Sequence, residues 1–497
     1  MGFILIGILI AMFCGIIGVC AGRTLYLSGT SHGRENPTRI AARNEPVAGT
    51  LCDSDDPQST RLSQAIGFRT VSYADRRRID FSPYRKFIEF LAQSFPLVHD
   101  TLRLEQVNEY TLFYTWPGTD QSSNPILLMA HYDVVPADAD DGWTHDPFEG
   151  TIEGGFLYGR GTLDDKHCLM AILESIESLL HDGYTPTRSV YLCFGHDEEI
   201  GGVEGAGTVA GMLEERGIAL DWVLDEGSMI YDAELLPGIA MPVALIGITE
   251  KGHVDVALES RANPGHAATP PRRTSVGRVA AAVAAIERKP FPPRLSPVVQ
   301  QFLESLIPYA PVPLKVALSN LWLFKPLFLK TLSGKPNTDA MIRTTQAATC
   351  FTGSDKENIL PARARASFNV RLLHGDTIRA VISRYKRIIG RGPLSVEPMV
   401  ESDFCDPLPV SNIDGEGYTL VSTLAAQMQP PVVCAPFIVL GATDSRHFRN
   451  ISRDILRFLP IRLAPDQIRL LHGVDERISL REYAGMIRFY GELLRRL

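Results

Sequence analysis

Apolar residues recur at helical spacing between residues 166 and 181. Leu169, Ile172, Leu173, Ile176, Leu179 and Leu180 form one stripe, and His181-Asp182-Gly183 ends it. The run that follows, SVYLCFG (189–195), is short, continuous and rich in β-branched and aromatic residues, as a strand buried on both faces must be. PILLMA (125–130) and DWVL (221–224) have the same character. From about residue 60 to 255 such runs alternate with helical stretches, which predicts a mostly parallel βαβ sheet.

Near residue 256 the pattern changes. HVDVALES alternates like a half-buried strand, and SVGRVAAAVAAIERK is an amphipathic helix. A Pro-rich, aromatic stretch occupies about 290–336. Beyond it, TTQAATCFTG and ARARASFNVRLL read as a strand pair, DTIRAVISRYKRIIG as a helix and LSVEPMV as a last strand. Strand-helix-strand-strand-helix-strand is a split βαβ layer. From about 405 the chain returns to the first sheet with a helix (GEGYTLVSTLAAQM) and a strand (VVCAPFIVL). The expected fold is α/β: a mixed, mostly parallel catalytic sheet with an inserted α+β lid. The expected segments are 1–28 (hydrophobic anchor or signal), 29–59 (polar tether), 60–255 and 405–497 (the two parts of the catalytic domain), and 256–404 (lid and dimerisation domain).

No charged side chain occurs from Gly2 to Gly22, a run of about the ~20 residues that a membrane span needs. It reads either as a single uncleaved anchor or as a cleaved signal of a secreted or periplasmic protein, although a signal normally carries a basic start. Arg23 lies on the far flank, so charge does not set the orientation. Residues 30–58 are polar and lack core-forming material. With 497 residues the chain exceeds one ordinary domain. Its 49 basic and 57 acidic residues give a net charge of -8, and no long basic run supports a nucleic-acid partner. The eight cysteines are scattered with no Cys-x-x-Cys pair, which argues against a disulfide framework or a zinc ribbon.

The chemistry gathers at the ends of the strand-like runs. PILLMA runs into His131, Tyr132 and Asp133, and SVYLCFG into His196, Asp197, Glu198 and Glu199. DWVL ends in Asp225 and Glu226, and Asp164 opens the helix after YGRGTL. Far downstream, His472 adds one more imidazole. Ligands of open α/β sheets collect at the carboxyl ends of strands. Imidazole and carboxylate without thiolate is a donor set for zinc, with cobalt or manganese as alternatives. His131 and Asp133 are two apart on a strand end and point the same way, so Asp133 can steady the imidazole or a catalytic group. Glu198 and Glu199 are adjacent and must diverge, so one can bind metal while the other faces a water as general base. Taken singly, each residue has a plainer use as a cap, a solvated charge or a loop residue. The case rests on their shared placement.

MAHYDVVP, YGRGTLDDK, GHDEE and LDEG resemble the signatures of the di-zinc aminoacylase and carboxypeptidase family, the M-20 peptidases. The resemblance covers roughly residues 60–497. SNLWLF, NTDAMIRTT, CDPLPVS, GATDSRHF and LHGVDERIS resemble one branch, that of the N-fatty-acyl-amino-acid synthase/hydrolases and carboxypeptidase S. The resemblance implies two zinc ions per subunit. His131 and Glu226 would be terminal ligands, Asp164 the bridge, and Glu199 and His472 the remaining ligands. Glu198 would be the general base and Asp133 its support, with Asp225 left as an alternative beside Glu226. It further implies a cis peptide at Asp164–Asp165, and a lid histidine, His266, that stabilises the oxyanion after closure or from a partner subunit. Arg371 is a clamp for the substrate carboxylate or else a strand ion pair. Asn358 matches a family Asn-x-Ile-Pro turn, but Leu360 replaces the usual Ile and Gly353-Ser354 the usual glycine pair.

The implied reaction cleaves the amide of an N-acyl amino acid, the acyl group being in one reading a fatty acid, and runs in reverse when the products are abundant. The alternative is a carboxypeptidase or dipeptidase on peptides. Either substrate carries a free carboxylate. A homodimer through the lid and an N-terminal membrane contact are further expectations. Leu321, Trp322, Leu323, Phe324, Leu327 and Phe328 form either a wall for the acyl chain or ordinary lid core.

Overall fold

The computed structural model describes Gly15 and residues 17–28, 56–232, 238–239, 241–399, 404–428, 432–464 and 466–497. Most of the anchor run (1–14) and nearly all of the tether (29–55) therefore lie outside the described residues.

Among the described residues, ten strands form the large sheet. At its centre Val190–Gly195, Ile126–His131 and Leu220–Asp225 lie side by side and parallel, and Ser452–Arg457 continues parallel to the last of these. Five of the nine strand pairings are parallel, so the sheet is mixed as the pattern suggested. The Ile126–His131 strand is buried at every position, which is why its sequence runs apolar without alternation. The helix Lys166–His181 matches the predicted stripe and is buried along most of its length. It packs against the carboxyl-terminal helix Leu480–Arg495 over the sheet.

A second, antiparallel sheet has the order Thr345–Thr352, Arg363–Leu372, Gly252–Arg261, Leu394–Pro398. Its central strand alternates buried and half-buried residues, as HVDVALES requires. Helices Ser275–Glu287 and Ile378–Ile389 cover the apolar face, where Val254, Val256 and Leu258 meet Ala282, Ile286, Val381 and Tyr385. This is the split βαβ layer. The two sheets meet at Lys251, between Val243–Glu250 and Gly252–Arg261.

The apolar insertion is helical throughout its middle: Pro297–Ser305, Val312–Ser319, Leu321–Leu332 and Pro336–Ile342. It does not pack as lid core. Val299, Phe302, Leu303, Leu318, Leu321 and Phe328 join the core of the large sheet, and Phe302 meets Phe437 edge-on at 6.0 Å. Nor do the residues around Trp322 form one wall. Leu321 and Phe328 are buried, whereas Trp322, Leu323 and Leu327 are exposed.

Candidate metal centre

The three central strands end at one edge of the sheet, and the chain leaves each with a functional residue. His131 is the last residue of its strand, a short turn at Glu198–Ile200 follows Gly195 and His196-Asp197, and Glu226 follows Asp225. Gly202 closes the glutamate turn with φ +63, and a Cβ there would come within 1.7 Å of Asp444 Oδ1, so only glycine fits. Asp164 precedes the Lys166–His181 helix, and the Asp164–Asp165 peptide is cis, as the resemblance implied.

His131 is buried, and its Nδ1 lies 3.0 Å from the main-chain carbonyl of Asp133, which leaves Nε2 facing the cluster. Asp164 Oδ1 lies 2.9 Å from that Nε2, and Glu226 Oε1 3.5 Å from it. The other carboxylate oxygen of Asp164 lies 3.0 Å from His472 Nε2, which is 3.2 Å from Glu199 Oε1. Two groups with metal-ligand spacing result, His131/Asp164/Glu226 and Asp164/Glu199/His472, and Asp164 is common to both. Glu198 Oε2 stands 3.9 Å from His131 Nε2, outside both groups.

Asp133 fastens the glutamate turn. Its Oδ1 accepts the Glu198 N–H (3.0 Å), and its Oδ2 accepts the Glu199 N–H (3.2 Å) and the Ser72 hydroxyl (2.8 Å). Asp225 is turned away: its Oδ2 accepts the Ser445 N–H at 2.9 Å, and it belongs to neither group. His472 arrives with φ +57 from a loop that is locked to the Asp164 loop. Arg160 donates to the His472 carbonyl and pairs with Glu476, a buried carboxylate that also accepts the N–H groups of Gly161 and Leu163. Arg160 and Glu476 were not singled out from sequence, although both stand inside quoted motif strings, YGRGTLDDK and LHGVDERIS.

Burial pushes the Glu226 carboxyl up to about 8, with Asp164 next to it adding to the rise. Burial also raises Glu199 and, with Glu226, holds Glu198 well above the usual carboxylate range. His472 is pushed up to about 10 by Asp164 and Glu199. For His131 burial works against the charge, but Asp133, Asp164 and Glu226 outweigh it and raise it well above the ordinary value. These shifts all favour the protonated forms: the buried cluster offsets its crowded carboxylates by holding protons, a need that a bound divalent cation would meet instead.

Asp164, Glu198, Glu199, Glu226 and His472 line a cavity of about 750 Å³. Phe302, Met341, Phe437, Leu245, Met229 and Leu332 supply apolar wall, and Arg371, His253, Arg446, Asn337 and Thr338 supply polar groups. Arg371 therefore reaches the cavity, where burial lowers its guanidinium from the ordinary value. Opposite it in the strand ladder stands His253. Arg446 is buried, with Nη1 donating to Thr443 and Nη2 to Gly201. Sequence reasoning assigned no role to His253, Arg446 or Asn337, although NTDAMIRTT and GATDSRHF carried the family likeness.

His266 and Asn358 do not line this cavity. His266 lies in a two-stranded ribbon, Gly265–His266 against Ile359–Leu360, Asn358 directly precedes the second strand, and both residues are exposed. The Ala267 N–H donates to the Asn358 carbonyl (3.0 Å), and the Ala268 N–H to His266 Nδ1 (3.0 Å).

Residues 127–496 match the model of the peptidase family M20/M25/M40. The chain is 39% identical to the probable carboxypeptidase S-like 2 of Dictyostelium discoideum, over 89% of this chain and 85% of that one. It is 39% identical to the human N-fatty-acyl-amino acid synthase/hydrolase PM20D1, over 87% and 86%. Among solved structures, the M20 family metallo-carboxypeptidase Sso-CP2 from Sulfolobus solfataricus superposes with a TM-score of 0.61 at 19% identity, covering 88% of this chain and 98% of that one. Human carnosine dipeptidase 1 gives 0.60 at 14% identity, covering 92% and 97%. At such identities these two structures speak for the fold alone. By its family model and its relatives, the chain belongs to the peptidase family M20/M25/M40 and is a metal-dependent hydrolase of amide bonds.

Proposed function

We propose that this enzyme cleaves the amide between a long acyl chain and an amino acid, releasing a fatty acid and the amino acid, and runs in reverse when both are abundant. The observation that carries the reading is the apolar wall of Phe302, Met341, Phe437 and Leu245, contiguous with the carboxylate-histidine cluster. An extended peptide there would leave backbone N–H and C=O groups without partners, whereas an alkyl chain needs none. The likeness to the N-fatty-acyl-amino acid synthase/hydrolases agrees.

The donor set suits two zinc ions, one held by His131, Asp164 and Glu226 and one by Asp164, Glu199 and His472. When bound, they supply Lewis acidity for the amide carbonyl and lower the pKa of a water. The chain's own groups do the rest. Glu198, oriented by Asp133 through its N–H, takes the proton of the attacking water and returns it to the leaving nitrogen. Arg371 binds the free carboxylate of the amino acid, with Arg446 beside the same cavity. His266 donates to the developing oxyanion once the 256–404 lid closes or a second copy presents it, because its ribbon stands outside the cavity. Asn358 shapes that ribbon. The uncharged run of residues 2–22 keeps the enzyme at a membrane, while among the described residues no single helix is long and apolar enough to cross one.

The test is mass-spectrometric turnover of an N-oleoyl amino acid beside a matched dipeptide, by zinc-loaded enzyme and by Glu198→Gln. Faster cleavage of the lipid amide, lost in the variant, supports the reading. Preference for the dipeptide overturns it in favour of a carboxypeptidase or dipeptidase.

A further inference from the structure

Fourteen large apolar side chains are exposed among the described residues, and eight fall in two short segments. Ile17, Val19, Leu25 and Tyr26 belong to the 17–28 helix. Val312, Trp322, Leu323 and Leu327 belong to the helices Val312–Ser319 and Leu321–Leu332, which meet at a 110° bend. The segments are tied together at that bend. Arg23 Nε donates to the Ser319 carbonyl at 2.7 Å, and Asn320 Nδ2 donates to the Cys20 carbonyl at 3.2 Å and to Thr24 Oγ1 at 3.3 Å. Trp322 Nε1 donates to Asn320 Oδ1 at 3.2 Å, which leaves its ring exposed.

The Leu321–Leu332 helix is apolar on both sides. Leu321, Phe328 and Leu332 face the core, and Trp322, Leu323 and Leu327 face out. Lys325 and Lys330 interrupt the outer side, but an inner and an outer apolar face on one helix are each covered by protein or by lipid. At 8 and 12 residues these helices fall short of the ~20 needed to cross a bilayer, so lipid would cover them only from one side, with the helices lying in the interface.

We propose that this bent helix pair, with the 17–28 helix seated on it, is a docking surface for an anionic bilayer. Two observations choose the occupant. Residues 305–338 carry four lysines and no acidic residue, in a chain whose net charge is -8, and Lys325, Lys330 and Lys335 are exposed. Such lysines complement anionic headgroups. In a two-fold contact with a second copy, the same patch would meet itself and set lysines against lysines. The second observation is continuity. The 17–28 helix bonded to this corner carries the last residues of the uncharged stretch of sequence that starts at Gly2, and its own Ile17 and Val19 are exposed. Docking also has a consequence for the reaction, which alone rests on the acyl-substrate reading. Leu332, on the inner side of the same helix, lines the metal-centre cavity. The enzyme thus takes its substrate from the bilayer that its outer face touches.

The test uses the full chain on phosphatidylcholine vesicles containing phosphatidylserine, with and without brominated acyl chains. The signal is the emission of Trp322, obtained by subtracting the Trp322→Phe spectrum. Trp116 and Trp222 are buried and Trp143 is half-buried, and the subtraction removes all three as background. A blue shift with quenching by brominated lipid, weaker without phosphatidylserine, is the expected result. Membrane-bound protein whose Trp322 is not quenched overturns the proposal and leaves the N-terminal run as the sole contact. A blue shift that depends on protein concentration without vesicles overturns it in favour of a second copy. Leu323→Glu with Leu327→Glu gives the functional arm, with unchanged thermal melting as the folding control. Turnover of bilayer-borne N-oleoyl amino acid should fall on the order of tenfold, and that of a water-soluble N-acetyl amino acid should hold. An equal fall on both overturns the link to the reaction. If no N-oleoyl substrate turns over while Trp322 is quenched, the docking surface stands and the substrate reading falls.

Discussion

At the carboxyl edge of the large sheet, His131 is buried, its Nδ1 is engaged by the Asp133 carbonyl, and the neighbouring glutamate turn is fixed by two hydrogen bonds to the Asp133 carboxylate, which also accepts the Ser72 hydroxyl. On the two-stranded ribbon, His266 is exposed, and its ring accepts the N–H of Ala268, two residues on. One imidazole is positioned by the packing of a core. The other is only presented by a two-residue strand pair. The edge cluster therefore belongs to the folded monomer, whereas the ribbon could act on substrate, as proposed, only after a movement or an association brought it there. That difference separates effects on chemistry, on assembly and on stability.

The largest effect is expected at the edge. Glu198→Gln removes the proposed base without removing a metal-spaced ligand, so kcat should fall by about 10²–10⁴-fold. Metal content by mass spectrometry should stay at the wild-type value. Loss of metal along with activity would mean that Glu198 is a ligand, and that the two groups around Asp164 are drawn wrongly.

The ribbon comes next. His266→Ala should lower kcat by about 10²–10³-fold, the usual cost of one oxyanion donor. Thermal melting should be unchanged, because the side chain is exposed. Mixing His266→Ala with Glu198→Gln sharpens the comparison. If the ribbon serves a second copy, mixed dimers contain one site with both residues and recover part of the activity. If the lid closes within one chain, mixing recovers nothing.

This contrast also marks what the sequence could tell. His131, Glu199 and Glu226 stood out because they follow buried parallel strands, which are continuous apolar runs, whereas Asp164 precedes a helix and His472 lies in a loop, and it was the family resemblance that joined all five as ligands. The lid was legible from alternation in HVDVALES and helical spacing in SVGRVAAAVAAIERK. The insertion was not. Its helices are apolar on opposite sides for different reasons, and a pattern in one dimension does not say which side meets the core. Asp225 was ambiguous for a related reason: only the position of the Ser445 N–H decides which of two adjacent carboxylates turns away. Arg446, His253 and Asn337 enter the cavity from segments far apart in sequence, with no periodicity to announce them.

Arg371 lies where the two regions face each other, on the lid sheet but lining the cavity of the large one. Arg371→Ala should raise KM for an N-acyl amino acid and lower kcat/KM by about 10–100-fold, the worth of charged hydrogen bonds to a carboxylate. The methyl ester of the same substrate should be almost indifferent to the change. An equal loss on acid and ester would make Arg371 a structural strand residue.

The smallest effect concerns the joint itself. Lys251 is buried between the sheets. Its main-chain N–H donates to the Val439 carbonyl at 3.0 Å, and its ammonium reaches the carbonyls of Ala340 (3.1 Å) and Arg343 (3.0 Å) and the Thr345 hydroxyl (3.2 Å). Burial, with Arg371 nearby, lowers its pKa from 10.5 to about 7. Between those values the unfolded chain keeps a proton that the folded one has given up, so stability from this group rises with pH across that window. Below about 7 both states hold the proton, and the group adds no slope. In urea titrations at neutral and alkaline pH, Lys251→Met should therefore flatten the rise seen in the wild type. Because methionine fills similar volume without a buried charge, the variant should be at least as stable near pH 7. A variant that is much less stable there would show that the ammonium and its three acceptors hold the lid to the sheet. The joint between the two regions would then be a fixed polar latch, and a closing lid would have to bend elsewhere.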